Sequence, residues 1–233
     1  MEDSDVAGDG NRERIVAAAT RLLTEGGTDG VSTRAVSAAA GVQPPTIYRL
    51  FGDKQGLLEE VAAHGFTTHL LRKTQLRSSR DPVENLRASW DLNVEFGLSN
   101  PALYTLMYGH PRPGAPSPAA VASFEVLAAH VRRIAEVGRL RVPESRAAAM
   151  LHAAGSGVTL SLIATAPERR DLTLSHTTRE AVITAISTEE PVSSVPGPAG
   201  AAITLRAALP GIESLSASER SLLREWLDRI SDE

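Results

Sequence analysis

An all-α fold is predicted for this chain, with a small three-helix head at the N-terminus and a larger helical body behind it. Three observations predict it. Apolar residues recur three and four positions apart through most of the 233 residues, which is the period of a helix rather than a strand. Aromatics are only 4%, so the core is built mainly from Ala, Leu, Val and Ile, and alanine-rich periodic segments favour helix. Glycine and proline fall between the periodic segments, where they punctuate helices.

Taken in order, residues 1–10 are acidic, lack an apolar signal core and are expected to be disordered. From Asn11 a first helix carries Ile15, Ala18, Ala19, Leu22 and Leu23 at helical spacing, and Gly26-Gly27 ends it because glycine takes the left-handed cap conformation readily. Ser32 caps a short helix through Ala40, and Gly41 makes the turn. Pro44 and Pro45 occupy the first turn of the next helix, where their missing N–H is not needed. That helix carries Thr46, Ile47, Tyr48 and Arg49. Asp53 caps a longer helix from Lys54 to about residue 78. Val36, Val42, Ile47, Phe51 and Leu22 are expected in the core.

Asp81-Pro82 opens the next helix, through Trp90 and Val94, and Asn100-Pro101 a short one over Tyr104 and Met107. Residues 110–118 hold four prolines and a glycine and read as a loop. Helices follow over 119–138, 144–166 and 172–188. Residues 189–200, rich in Pro, Ser and Gly, read as a linker. The tail has a helix over 201–209, a Pro210-Gly211 break and a last helix opened by the capping box Ser216-Ala217-Ser218-Glu219; burial of Trp226 is expected to anchor it. The domain plan is thus an arm (1–10), a head (11–58), a ligand-binding and dimerisation body (59–188), a linker (189–200) and a C-terminal helical extension (201–233).

The net charge of -4 argues against a broadly basic coat for nucleic acid. It leaves room for local contacts, because charges act within about 8 Å at physiological salt. The chain has no cysteine, which removes disulfides, thiolate zinc sites and cysteine nucleophiles together. No window reaches the ~18 apolar residues of a membrane helix. A cytoplasmic chain with no membrane contact is expected.

The two short helices around Gly41 have the pattern of a helix-turn-helix, whose second helix enters a DNA major groove. Thr33 and Thr46 are short hydroxyls near helix starts, where backbone N–H groups also favour phosphate. The Tyr48 phenol and the Lys54 ammonium suit the sugar-phosphate backbone and position without reading sequence. Base reading falls to Arg34, Gln43, Pro44, Pro45 and Arg49: Gln pairs with adenine, Arg with guanine, and Pro touches a thymine methyl or shapes the approach. Residues 11–60 hold six Arg or Lys against six Asp or Glu, so affinity must lean on few contacts and on dimerisation.

Gly26, Ser32-Thr33-Arg34, Val36-Ser37, Ala40-Gly41-Val42, Thr46-Ile47-Tyr48, Phe51 and Lys54 together make this segment resemble the DNA-binding head of the tetracycline-repressor (TetR) family of transcriptional regulators. Leu50 stands where many relatives have His, and Pro44 where a hydrogen-bonding side chain often sits. The resemblance implies a homodimer on a palindromic DNA operator, with helices 144–166 and 172–188 pairing as a four-helix bundle. It further implies repression, with release by a small-molecule effector. Ala147, Ala148, Ala154, Gly155, Gly157 and Ser161 are small enough for close helix approach. Asn100 to Gly109, followed by Leu151-His152-Ala153-Ala154-Gly155, weakly resembles the WHG-type C-terminal subgroup. Small-molecule sites form between bundle helices, and Trp90, Tyr104, Met107, Phe124 and His152 are the candidate lining for a mainly hydrophobic effector.

No catalytic residue, metal site or cofactor is expected. The histidines are scattered, no Gly-rich phosphate loop is present, and no serine sits in a nucleophile elbow. The competing class is a helical protein-interaction module without sequence-selective DNA binding.

Overall fold

A computed structural model describes residues 2–73, 79–109, 116–189 and 198–231, with side chains for all of these except 2–9 and 68–73. The helices are α1 (Glu2–Gly30), α2 (Thr33–Ala40), α3 (Pro44–Phe51), α4 (Lys54–Lys73), α5 (Pro82–Ser99), α6 (Pro101–Tyr108), α7 (Pro118–Glu136), α8 (Glu144–Ala164), α9 (Thr173–Ile186), α10 (Pro198–Ala208) and α11 (Ala217–Ser231). Single 3-10 turns lie at Pro167–Arg169 and Leu209–Gly211. Among the described residues there is no strand, only an isolated antiparallel bridge between Leu140 and Ser187. The class is all-α, as the periodicity predicts.

The chain divides into two compact units, Met1–Leu76 with Glu95–Ser123, and Arg77–Val94 with Phe124–Glu233. In the first, α1 packs on α2, α4 and α6, and α3 packs on α2 and α4. Ile15, Ala19, Leu23, Val31, Val36, Ile47, Leu57 and Val61 are buried at its centre; Leu22, Val42 and Phe51 are half-buried. Each large apolar side chain buried this way contributes about 1.5–3 kcal/mol. The backbone of α4 comes close to α6 at Gly65, where a Cβ would fall 2.3 Å from Leu103. Phe96, Tyr104 and Tyr108 form a chain of tilted rings, 6.3 and 4.6 Å apart, and burial pushes the Tyr108 phenol up to about 12.

In the second unit α8 packs along α9, and α5 is clasped to α9 by polar groups. The Trp90 indole donates to Ser175 Oγ at 3.0 Å, and its ring rests on Gly155, whose missing Cβ would lie 3.4 Å away. The buried Arg179 donates to both carboxylate oxygens of Asp91 at 2.5 Å and to Glu180 at 2.8 Å. Arg87 donates to Glu180 at 2.9 Å and to Glu84 at 2.6 Å. The hydrogen bond from Arg87, reinforced by Arg179, holds the Glu180 carboxyl below its ordinary value of 4.5.

The C-terminal extension belongs to this unit. α10 and α11 pack on each other around Ile203, Leu209 and Leu227. Arg206 donates to Asp228 of α11 and, at 3.1 Å, to Glu144 at the start of α8. The capping box forms as read: Ser216 N donates to Glu219 at 2.8 Å and Glu219 N to Ser216 Oγ at 3.3 Å.

Several boundaries differ from the sequence reading. The arm expected to be disordered is helical from Glu2; no proline interrupts it, and its glycines each cost only about 1 kcal/mol in a helix. α1 is interrupted at Gly27 (φ 61°), as the double glycine predicts. α8 stops at Ala164 rather than 166, because the residue before Pro167 disfavours helix and Arg170 closes the end by donating to the carbonyls of Leu162 and Thr165. α9 runs over Thr173–Ile186 rather than 172–188, because Ser187 turns extended to bridge Leu140. The linker ends early, at Pro198, which opens α10 as proline at a first helical position does.

Trp226 is 46% exposed and is not the anchor of the tail. Leu227 and Ser231 carry the buried face of α11, and Trp226 is turned about 100° from Leu227. By length and composition α8 is apolar enough to cross a membrane, against the expectation of no such window; 39% of its most apolar stretch is buried within the chain. Of the expected features, residue 1 of the arm, 74–78 of the fourth helix, 110–115 of the loop, 190–197 of the linker and 232–233 of the extension lie outside the described residues.

Two outcomes follow from these contacts. Glu180 is held below 4.5 in the folded chain, so its contribution is complete above that value and drains away as pH falls through the depressed value. Glu180→Gln therefore lowers the melting temperature at pH 7, and the gap to wild type narrows as melts are repeated at pH below about 4.5. Gly41 has φ 64°, a left-handed geometry costing an L side chain about 1–2 kcal/mol. Gly41→Val loses at least that amount in denaturant unfolding.

Candidate nucleic-acid interface

The head presents its second short helix through a sequence of local fits. Ser32 is extended and its hydroxyl accepts from Ala35 N at 3.1 Å, which starts α2. Gly41 ends it in the left-handed conformation and passes its N–H back to Ala38 and Ser37 carbonyls. Gln43 is the cap of α3, Pro44 and Pro45 fill its first turn, and Gly52 closes it by donating to Tyr48 O at 2.9 Å. Asp53 then caps α4, accepting from Gly56 N at 2.8 Å.

Each candidate DNA-contact residue lies on this head. Ile47 points into the core with no exposure. Gln43, Pro44, Pro45, Tyr48 and Arg49 are exposed, and Thr46 is half-buried. Tyr48, at 52%, is the one large hydrophobic side chain exposed among the head's described residues. At the start of α2, Arg34 is exposed and Thr33 half-buried. Gln43 makes no side-chain cap bond. Pro44 and Pro45 have no N–H to offer and Thr46 N is bonded to Gln43 O at 2.9 Å. The amides expected to favour phosphate at the start of α3 are thus absent or bonded, and at the start of α2 Ala35 N is taken by Ser32 Oγ and Val36 N by Ser32 O.

Lys54 is placed by its neighbours. Its ammonium donates to the Thr28 carbonyl at 3.1 Å, which seats the cation beside the turn that follows the Gly27 break. Sequence reasoning missed Arg12. Its guanidinium meets Glu60 of α4 at 2.8 Å, approaches the Leu50 carbonyl in the last turn of α3 at 3.5 Å, and lies 5.1 Å from the centroid of the Phe51 ring. The partners are 38 and 48 positions away, so no local spacing signals the contact.

The five candidate effector residues fall in different units. Tyr104 and Met107 are buried in the first; Trp90, Phe124 and His152 belong to the second. Trp90 is occupied by Ser175 and Gly155. Phe124 and His152 meet edge to face, 5.5 Å apart at 82°, and burial holds the His152 imidazole below its ordinary value of 6.5, so it is neutral at pH 7. Among the described residues no group of three His, Asp or Glu side chains is gathered to hold a metal ion.

With this geometry in place, residues 15–61 match the family of bacterial regulatory proteins described as the tetR family. The Tetracycline repressor protein class D of Escherichia coli is 37% identical over 59 residues, which are 25% of this chain and 27% of the repressor. The chain thus matches about a quarter of that relative's length. Among solved structures, a putative tetR family transcription regulator from Shewanella sp. PV-4 superposes with a TM-score of 0.61 at 20% identity, over 77% of this chain and 99% of the other. The transcriptional regulator FadR of Bacillus subtilis, solved with stearoyl-CoA, gives 0.62 at 15% identity, over 75% and 98%. At these identities the solved structures establish a shared fold. The likeness in sequence to the tetR family of bacterial regulatory proteins thus rests on residues 15–61, the segment that holds α2 and α3.

Proposed function

We propose that this protein is a cytoplasmic transcriptional regulator, not an enzyme, that represses by binding a palindromic DNA operator as a homodimer and is released by a small, mainly apolar effector. The observation that carries the reading is the two-sided character of α3. Ile47 is sealed in the core while Gln43, Pro44, Pro45, Tyr48 and Arg49 are presented outward. A helix held by one face and polar on the other is what a major groove accommodates.

In this reading Thr33, Thr46, Tyr48 and Lys54 contact phosphate and sugar and set the register. Arg34, Gln43, Pro44, Pro45 and Arg49 face base edges, where Arg suits guanine and Gln suits adenine. One head offers few contacts, so two are needed, about one helical turn apart. The partner is a second copy. Along α8, Ala149, Ala153, Gly157 and Ser161 are exposed at four-residue intervals, and α9 adds Thr177, Ala181 and Ala185. A Cβ at Gly157 would meet nothing within 4 Å. Small side chains on a long apolar helix that is only 39% buried over its most apolar stretch suit close packing against an equivalent pair.

The effector would act by population shift, favouring a head spacing that no longer fits both half-sites. Phe124 and His152, which meet edge to face within the second unit, supply an apolar, uncharged surface for it. FadR, which shares the fold, is solved with a fatty acyl thioester, in keeping with an apolar effector.

Substitution tests the assignments. Tyr48→Phe combined with Lys54→Ala weakens binding to every duplex alike in a mobility-shift titration, whereas Gln43→Ala changes preference at one base position. Unaltered binding in both would favour a helical protein-interaction module. Gly157→Glu places a charge on the proposed α8 seam; the sedimented mass then falls from two chains to one.

A further inference from the structure

We infer that Arg12 is the positioning residue of DNA recognition: it ties the C-terminal end of α3 to α4, and so sets the angle at which α3 meets a duplex. The inference rests on the DNA-binding reading above and names a residue that it does not use. Three contacts converge on one guanidinium. Two of its nitrogens face the two carboxylate oxygens of Glu60, at 2.8 and 3.4 Å. A third points to the Leu50 carbonyl at 3.5 Å, and the group lies 5.1 Å from the centre of the Phe51 ring.

Leu50 and Phe51 are the last two residues of α3. On either side of the Leu50 carbonyl, Tyr48 O accepts from Gly52 N and Phe51 O from Asp53 N. Arg12 supplies from α1 a positive charge at the negative end of α3. The fork geometry of arginine lets it hold the carboxylate and the carbonyl together, which a lysine ammonium does not do. The first turn of α3, by contrast, has prolines at its first two positions and no side-chain cap. Its orientation is thus determined from the far end.

The charges are not buried. Side-chain exposure is 40% for Arg12 and 37% for Glu60, and pairs exposed to this degree add little to global stability. Arg12 therefore orients a helix whose existence depends on burial of Ile47 and its neighbours.

The test uses full-length wild-type protein to select a duplex from a random-sequence pool. Arg12→Ala, Arg12→Lys and Glu60→Gln are then titrated against that duplex and a scrambled one at several salt concentrations, with thermal melts alongside. For Arg12→Ala the expected result is at least about a tenfold loss on the selected duplex, the scale of one lost base contact. The scrambled duplex changes less than about twofold, and the salt slope and melting temperature hold. Arg12→Lys retains most of that loss because the fork is gone, and Glu60→Gln gives a smaller loss of the same kind.

Equal losses on both duplexes, with the salt slope reduced by about 0.9, would make Arg12 a phosphate contact instead. A fall in melting temperature that accounts for the loss would make it a folding residue, and no loss at all would make it inert. Each of these overturns the inference. Failure of the wild type to enrich any duplex would overturn the DNA-binding reading beneath it, before any variant is compared.

Discussion

The head depends on one constraint: α2 and α3 are eight residues long each, and isolated helices of that length are not stable in water. They exist because Val36 and Ile47, one on each, are fully buried, with α2 packed on α1 and α3 on α4. This divides the surface of α3 into a side that must be apolar and a side that is free to carry chemistry. The free side is short, beginning at Gln43 and ending at Arg49. Its ends are governed by backbone chemistry, two prolines before and a positive-φ glycine after. In the proposed reading a surface so small gains rigidity from its mounting, to which the contacts of Lys54 with Thr28 and of Arg12 with Glu60 contribute.

The second unit solves a different problem. With few aromatics, it obtains rigidity from polar clasps laid over an aliphatic core. Arg179 and Arg87 share Glu180, Trp90 is hydrogen-bonded to Ser175, and Arg206 joins α8, α10 and α11 through Glu144 and Asp228. Gly155 admits the Trp90 ring, so part of the small-residue pattern on α8 serves packing within the chain. The exposed part of the pattern, at Gly157 and Ser161, is the part that the proposed pairing of two chains would use.

Most of the fold was legible in the sequence because capping is local. Ser32, Gly41, Asp53 and Ser216 each take the role their type and spacing announce, and Pro44, Pro82 and Pro101 each stand at the first position of a helix. The outward display of α3 was legible for the same reason, since its buried position is set by the helical period. What could not be read is long-range. Arg12 finds partners 38 and 48 residues away, and the Arg179 clasp spans 88. Trp226 was misread because α11 is apolar over a wide arc while α10 covers only part of it, a matter of which neighbour arrives. The effector lining was chosen by residue type alone, and type does not distinguish Trp90, held by Ser175 in a packed core, from Phe124, at the surface.

The central claim is that α3, held rigidly on the head, reads DNA twice over through a pair of identical chains. Sequencing the duplexes that the full-length wild-type protein retains from a random pool tests it most directly. The account predicts one enriched palindrome whose half-sites lie about 10 base pairs apart, centre to centre. Retention without any shared sequence, or enrichment of a lone half-site, would contradict it.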